Sequence, residues 1–272
     1  MGRSVRDLTR DEKGYATVAP SSIMCTLALA WGVFADAPVL LAATRDEAFS
    51  RPSRPPDVLD EASLVVAPRD EEAGGTWIGH NEFGLVVAIA NRWTDAEIDG
   101  ERSRGLLVRD ALGQSSAEEA ARFVERELDR TAYEPYTLLL ADPTAAVTIE
   151  WDGSRRIETL EPGVHVVTNV GVDGVASIPR DRPGAGEHAA AVGRRVLERL
   201  QPEPGEWSGA WLDRAAETLS DHEVGACVHR DRFGTRSASL LWVGTDRETD
   251  FRFADGPPCT VEFEPVNAES QD

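Results

Sequence analysis

No apolar run in this chain outlasts a β-strand. Leu85–Ala90 and Leu138–Ala141 are among the longest, far short of the ~20 apolar residues of a membrane-crossing helix. The runs are bounded by Gly, Pro, Asn and Asp, as strands are. Cys25–Trp31 and Val39–Thr44 flank a turn around Asp36 and Pro38 and read as a hairpin. Further strands are expected at Leu85–Asn91, Tyr136–Ala141, Ala146–Trp151, His165–Val170, Ala226–Arg230, Ser237–Val243, Phe251–Phe253 and Val261–Phe263. Helical pattern is confined to two blocks. The first holds Gly105–Leu112 and a helix through Leu128, opened by Ser116 with Glu119 as a capping box and carrying Ala120, Val124 and Leu128 on one stripe. The second, after a Pro/Gly-rich linker at Pro179–Gly186, holds Glu187–Leu200 and Ser208–Leu219. Arg51–Pro56 reads as a loop. Short-turn strands with segregated helices imply an α+β fold of antiparallel sheets. With 272 residues, 41% hydrophobic, and no break in composition, one domain from residue 25 to 272 is expected.

The charge excludes some partners. There are 48 acidic against 28 basic residues, a formal net charge of −20, and Lys13 is the only lysine. Such an excess repels nucleic acid and anionic membranes, so neither is an expected partner. The acids are spread along the chain rather than gathered in a tail, which favours adaptation to high salt over a dedicated acidic docking surface.

Three cysteines, Cys25, Cys227 and Cys259, are too few and too odd in number for a disulfide framework and point to a reducing, cytoplasmic compartment. Cys227 and His229 would share a face of one strand, but no second pair with ligand spacing accompanies them, so no metal site is expected. Residues 1–24 are polar and aperiodic. They read as a disordered extension, either a mis-assigned start before Met24 or a propeptide.

Met24-Cys25 carries the chemistry. Were Met24 the initiator and removed, Cys25 would be N-terminal. Its α-amino group, with a pKa near ~7.7–8.0, would suit a general base, on the same residue as a nucleophilic thiol. The plainer reading is a small apolar residue opening a buried strand. Thr44-Arg45-Asp46-Glu47 closes the hairpin opposite Cys25, so Arg45 and Asp46 can reach the amine and thiol. Arg51-Pro52, Gly74-Gly75-Thr76-Trp77-Ile78-Gly79, Asn91, Thr168-Asn169-Val170 and Phe233-Gly234-Thr235-Arg236-Ser237 follow in order.

Together these residues resemble the NRDE family, also called the Transport and Golgi organisation 2 family, from Met24 to about Val243. Thr44 departs from it, standing where the name motif has Asn. The resemblance implies a four-layer αββα sandwich of N-terminal-nucleophile (Ntn) hydrolase type. It carries Cys25 over as nucleophile, Arg45 and Asp46 as the groups orienting amine and thiol, and Asn91 and Asn169 as two asparagines, one an oxyanion donor. Arg236 becomes the late arginine favouring thiolate. The implied activity is hydrolysis of a linear amide through a thioester. The implied alternative is a non-enzymatic binder and trafficker of haem or an acyl lipid. Haem would then be a ligand, and no resident cofactor is expected.

Overall fold

The computed structural model describes residues 24–60 and 64–267. In chain order the strands are β1 (Thr26–Trp31), β2 (Val39–Ala48), β3 (Ser53–Asp60), β4 (Val65–Asp70), β5 (Ile78–His80), β6 (Val86–Asn91), β7 (Tyr136–Ala141) and β8 (Ala146–Trp151). They continue as β9 (Arg155–Thr159), β10 (Gly163–Thr168), β11 (Gly171–Val172), β12 (Val175–Ala176), β13 (Phe233–Val243), β14 (Thr249–Ala254) and β15 (Glu264–Pro265). Helices α1 (Arg104–Leu112) and α2 (Ala117–Leu128) follow β6, and α3 (Pro183–Arg199) and α4 (Ser208–Ser220) follow β12.

Two antiparallel sheets result. The first runs β12-β11-β10-β1-β2-β13-β14-β15, the second β3-β4-β5-β6-β7-β8-β9. Side-chain alternation gives each sheet two apolar faces. In β1, Leu27 and Leu29 turn inward and pack with Val86, Ala88 and Leu139 of the second sheet. Ala28 and Ala30 turn outward beneath Val192, Val196, Trp211 and Leu212 of α3 and α4. On the far side, Val87, Leu138 and Leu140 pack against Leu107, Ala111, Ala120 and Val124 of α1 and α2. The layers are therefore helix, sheet, sheet, helix, the expected αββα sandwich. Each fully buried Leu or Val of these cores contributes about 1.5–3 kcal/mol by burial.

Several elements differ from the sequence reading. Ser53–Asp60, read partly as loop, is an edge strand. Pro55 and Pro56 fall where its register with β4 shifts between Arg54 and Asp57, a position that needs no ladder donor. The linker at Pro179–Gly186 is half helix, because Pro183 opens α3 as proline suits a first turn. Ala226–Arg230 is not a strand; it is a connection with one bridge, His229 to Gly234. Val261–Phe263 is likewise outside any strand. The capping box is half formed: the Ser116 side chain accepts from the Glu119 N–H at 3.2 Å, while Glu119 accepts from Ser115 instead.

The extension expected over residues 1–24 falls outside the described residues except for Met24. Met24 itself is 3% exposed and sits in the core beneath α3 and α4. No helix among the described residues is long and apolar enough to cross a membrane.

Candidate active site

Cys25 precedes β1 directly, and the β1–β2 register, Thr26 opposite Thr44, puts it across from Arg45. The Cys25 backbone N–H donates to Asn169 Oδ1 at 2.9 Å. Asn169 lies just past β10 and is fully buried. Its Nδ2 donates to the Asn91 carbonyl at 2.6 Å, and its own carbonyl accepts from the Trp93 N–H at 2.7 Å. One asparagine thus fastens the start of β1 to the end of β6, joining the two sheets at the end that carries the site.

Asp46 is 1% exposed. Thr235, opposite it on β13, donates its hydroxyl to Asp46 Oδ1 at 2.7 Å. The second oxygen, Oδ2, is buried without a hydrogen-bond partner. Burial pushes the Asp46 carboxyl up to about 8, against the opposing pull of the Thr235 hydroxyl and the Met24 N–H. Burial also pushes the Cys25 thiol up to about 12, with Asp46 adding to the rise; the Asp46 N–H and Arg45 only partly offset it. Arg45 lies with its guanidinium 4.0 Å from the centre of the Trp77 ring and 3.7 and 3.9 Å from Glu47 and Asp70. Burial pulls its pKa down, and Glu47 is the main counterweight. Asp70 is in turn held by Arg51 at 2.8 Å. Thr44 is buried with its hydroxyl unpartnered, so it supplies none of the hydrogen bonds an amide there would make.

These groups line a cavity of about 340 Å³ that Cys25, Arg45, Asp46, Trp77 and Asn91 share with Arg51, Arg102 and Arg104. The wall is strongly polar. Each arginine is matched to acid: Arg102 to Asp110 and Glu127, Arg104 to Glu134 at 2.8 Å. Asn91 is half-buried, and its side-chain amide has no hydrogen bond to another described residue. It is the free amide donor of the cavity, because Asn169 is committed to the Cys25 N–H and to Asn91 itself.

Five of the six expected residues come together here: Cys25, Arg45, Asp46, Asn91 and Asn169. Arg236 does not. The β2–β13 register shifts between Thr235 and Ser237, leaving Arg236 as the bulged residue, and bulges re-aim side chains. It pairs with Asp255 at 2.7 Å and is not part of the cavity wall. Arg45 is the cation felt by the thiol, and half-buried Arg104 in the first turn of α1 has its pKa pulled down by desolvation, with Glu134 and then Cys25 opposing. Nothing in the sequence marked Arg104. It sits between a loop and a helix start, and only the close approach of Gly75 to Gly105, with Thr76 N–H donating to the Gly105 carbonyl at 3.0 Å, brings it in.

Solved structures share this architecture. Penicillin V acylase from Agrobacterium tumefaciens superposes with a TM-score of 0.53 at 14% identity, covering 85% of this chain and 83% of the acylase. An N-acylethanolamine-hydrolyzing acid amidase ortholog from Caenorhabditis elegans gives 0.51 at 12%, covering 80% and 92%. At such identities the likeness is one of fold, the Ntn-hydrolase fold. Sequence relatives are nearer. The Transport and Golgi organization protein 2 homolog of Homo sapiens is 30% identical over 245 residues, 78% of this chain and 84% of the human protein. That of Bos taurus is 29% identical over 237 residues. The family model for Transport and Golgi organisation 2 matches residues 24–253, starting at the Met-Cys pair that opens the site. The chain belongs to the Transport and Golgi organisation 2 family.

Proposed function

We propose that Cys25, once N-terminal, is the nucleophile of an amidohydrolase that cleaves a linear amide through a thioester. The observation that carries this reading is the Cys25 nitrogen. It is fixed by Asn169 at 2.9 Å beside a buried carboxylate with one orphaned oxygen. Release of Met24 would turn that nitrogen into an ammonium with donors to spare, for which Asp46 Oδ2 is the waiting acceptor. The new cation would draw the thiol and the Asp46 carboxyl down together.

The steps follow. The neutral α-amine takes the thiol proton, and the thiolate adds to the amide carbonyl. The oxyanion accepts from the Asn91 Nδ2–H, a cavity donor that no other described residue engages. Collapse breaks the C–N bond, and the ammonium returns its proton to the departing amine. Water, deprotonated by the same amine, then cleaves the thioester to acid and thiol. The penicillin and N-acylethanolamine amides named for the fold relatives support this substrate class. The charged wall favours an amide with a polar or ionised acyl or amine part.

The test is turnover of a panel of N-acyl amides by protein beginning at Cys25. Cys25→Ala is expected to abolish it, and Asn91→Ala to lower kcat by about 10²–10³-fold. Absence of turnover in the starting protein, with haem or acyl-CoA bound equally by it and by Cys25→Ala, would replace this reading with that of a binding protein.

A further inference from the structure

Folding supplies the partners that Cys227 and His229 lack in sequence. His222, Cys227, His229 and Cys259 each offer one ligand atom, all within 4.8 Å of one another. Cys227 Sγ is 3.6 Å from Cys259 Sγ and 3.4 Å from His229 Nε2. His229 Nε2 is 3.1 Å from Cys259 Sγ. The two imidazoles stand edge to face, 5.1 Å between ring centres. A tetrahedral ion with bonds of about 2.3 Å to sulfur and about 2.0–2.1 Å to nitrogen needs donors roughly 3.3–3.8 Å apart. The three measured separations lie in or next to that range. A disulfide would need the sulfurs at about 2.05 Å, and it would leave two converging histidines without a purpose.

We propose that these four residues bind zinc in a closed, structural Cys₂His₂ site. Two thiolates and two imidazoles suit zinc and exclude magnesium or calcium, which take oxygen donors. Two thiolate charges cancel the ion's own, and binding releases the two thiol protons to solvent. None of the four residues lines the Cys25 cavity, so the site is separate from the proposed chemistry.

The ligands come from three segments. His222 follows α4, Cys227 and His229 lie on the connection into β13, and Cys259 lies on the turn after β14. That turn is already fastened to the end of α4 through Ser220 Oγ, which donates to the Pro258 carbonyl at 3.2 Å. The connection between Cys227 and His229 is tied to β13 through Val228, whose N–H donates to Thr235 Oγ1 at 2.9 Å and whose carbonyl accepts from the Thr235 N–H at 2.8 Å; that hydroxyl holds Asp46. Zinc therefore clamps the C-terminal segment to α4 and steadies the strand entry that supports Asp46.

The test is elemental analysis of the full chain, produced without an affinity histidine tract and purified without chelator. About one zinc per chain is expected. Exchange for Co²⁺ is expected to give the visible bands of a tetrahedral ion and a thiolate-to-cobalt charge-transfer band. Cys259→Ser is expected to lose the zinc and the charge-transfer intensity, and His222→Ala to weaken retention during dialysis. Chelation is expected to lower the melting temperature of the wild type by several degrees and leave Cys259→Ser unmoved, which separates loss of metal from loss of fold. Wild-type protein, folded and reduced, that neither carries zinc nor takes it up when Zn²⁺ is added would overturn the proposal. So would a mass short by two hydrogen atoms from a Cys227–Cys259 bridge together with no metal after reduction.

Discussion

Two protonation states bear on the proposed chemistry, and burial is the main cause of both shifts. The thiol of Cys25, pushed up to about 12 while its nitrogen is tied in a peptide, is a neutral and quiet group at ordinary pH. In protein that keeps Met24, iodoacetamide is expected to label Cys25 about 10²-fold more slowly at pH 8 than a cysteine of ordinary pKa; peptide mapping separates it from Cys227 and Cys259. Labelling at the ordinary rate would contradict the uncharged thiol. Asp46 gives a stability signature. Its folded pKa, about 8, exceeds the unfolded value near ~3.9, so the native state holds a proton that the unfolded chain releases. Stability is therefore fully present below the unfolded pKa and declines as pH rises from about 4 through about 8. Asp46→Asn keeps the acceptor for Thr235 and cannot ionise, so the fall in melting temperature across that window is expected to be shallower in the variant. Equal slopes would mean that Asp46 is ionised throughout. The sequence announced Cys25, Arg45 and Asp46 because they lie on one hairpin, where register is local. Arg236 went wrong because a bulge has no signature in Thr235-Arg236-Ser237. Of the Cys₂His₂ cluster only the Cys227 and His229 pair was visible, because His222 and Cys259 join it through tertiary packing alone.

Among the elements, the junction between the Gly-Gly-Thr-Trp loop and α1 holds the cavity open. A Cβ on Gly75 would stand 2.1 Å from the Gly105 carbonyl carbon and 2.4 Å from its oxygen, with no room unless α1 moves. Gly75→Ala is expected to destabilise the fold by about 1–3 kcal/mol and to shift Arg104 from the cavity wall. Chemical denaturation measures the first effect, and an unchanged midpoint would refute the close approach. Asn169 is the second junction. Asn169→Ala leaves the Asn91 carbonyl and the Cys25 nitrogen without their buried partner, a loss of about 2–4 kcal/mol by the same measurement. Strands with bounded apolar runs, such as β7 and β8, and helices with capping residues, such as α2, were legible to the residue. Edge elements were not. β3 is carried by Pro55 and Pro56, whose composition speaks for a loop, and only its neighbour β4 makes it a strand. The connection at Ala226–Arg230 has strand composition, yet Gly225 at φ +86° and the turn before it aim it toward Cys259 instead of into the sheet.

For the whole molecule, a charge of −20 over an almost lysine-free chain implies self-repulsion that dissolved ions relieve. The melting temperature is expected to rise steeply between dilute and molar KCl, and a flat profile in calorimetry would leave the acid excess without a salt-dependent role. The antiparallel α+β character was readable from the strand-length apolar runs and the two helical blocks, and the four-layer sandwich was what the family resemblance of the ordered motifs implied. What a linear pattern could not carry was the protonation state of Cys25, since a half-buried thiol and a buried carboxylate take their charges from three-dimensional surroundings. The claim that the chemistry belongs to Cys25 as an N-terminal residue is tested most directly by intact mass after incubation with reactive N-acyl amides, on protein beginning at Cys25 and on protein retaining Met24. The form beginning at Cys25 is expected to gain the mass of one acyl group, mapped to Cys25 and released by hydroxylamine, while the Met24 form stays unmodified. An adduct on neither form, or equally on both, would contradict it.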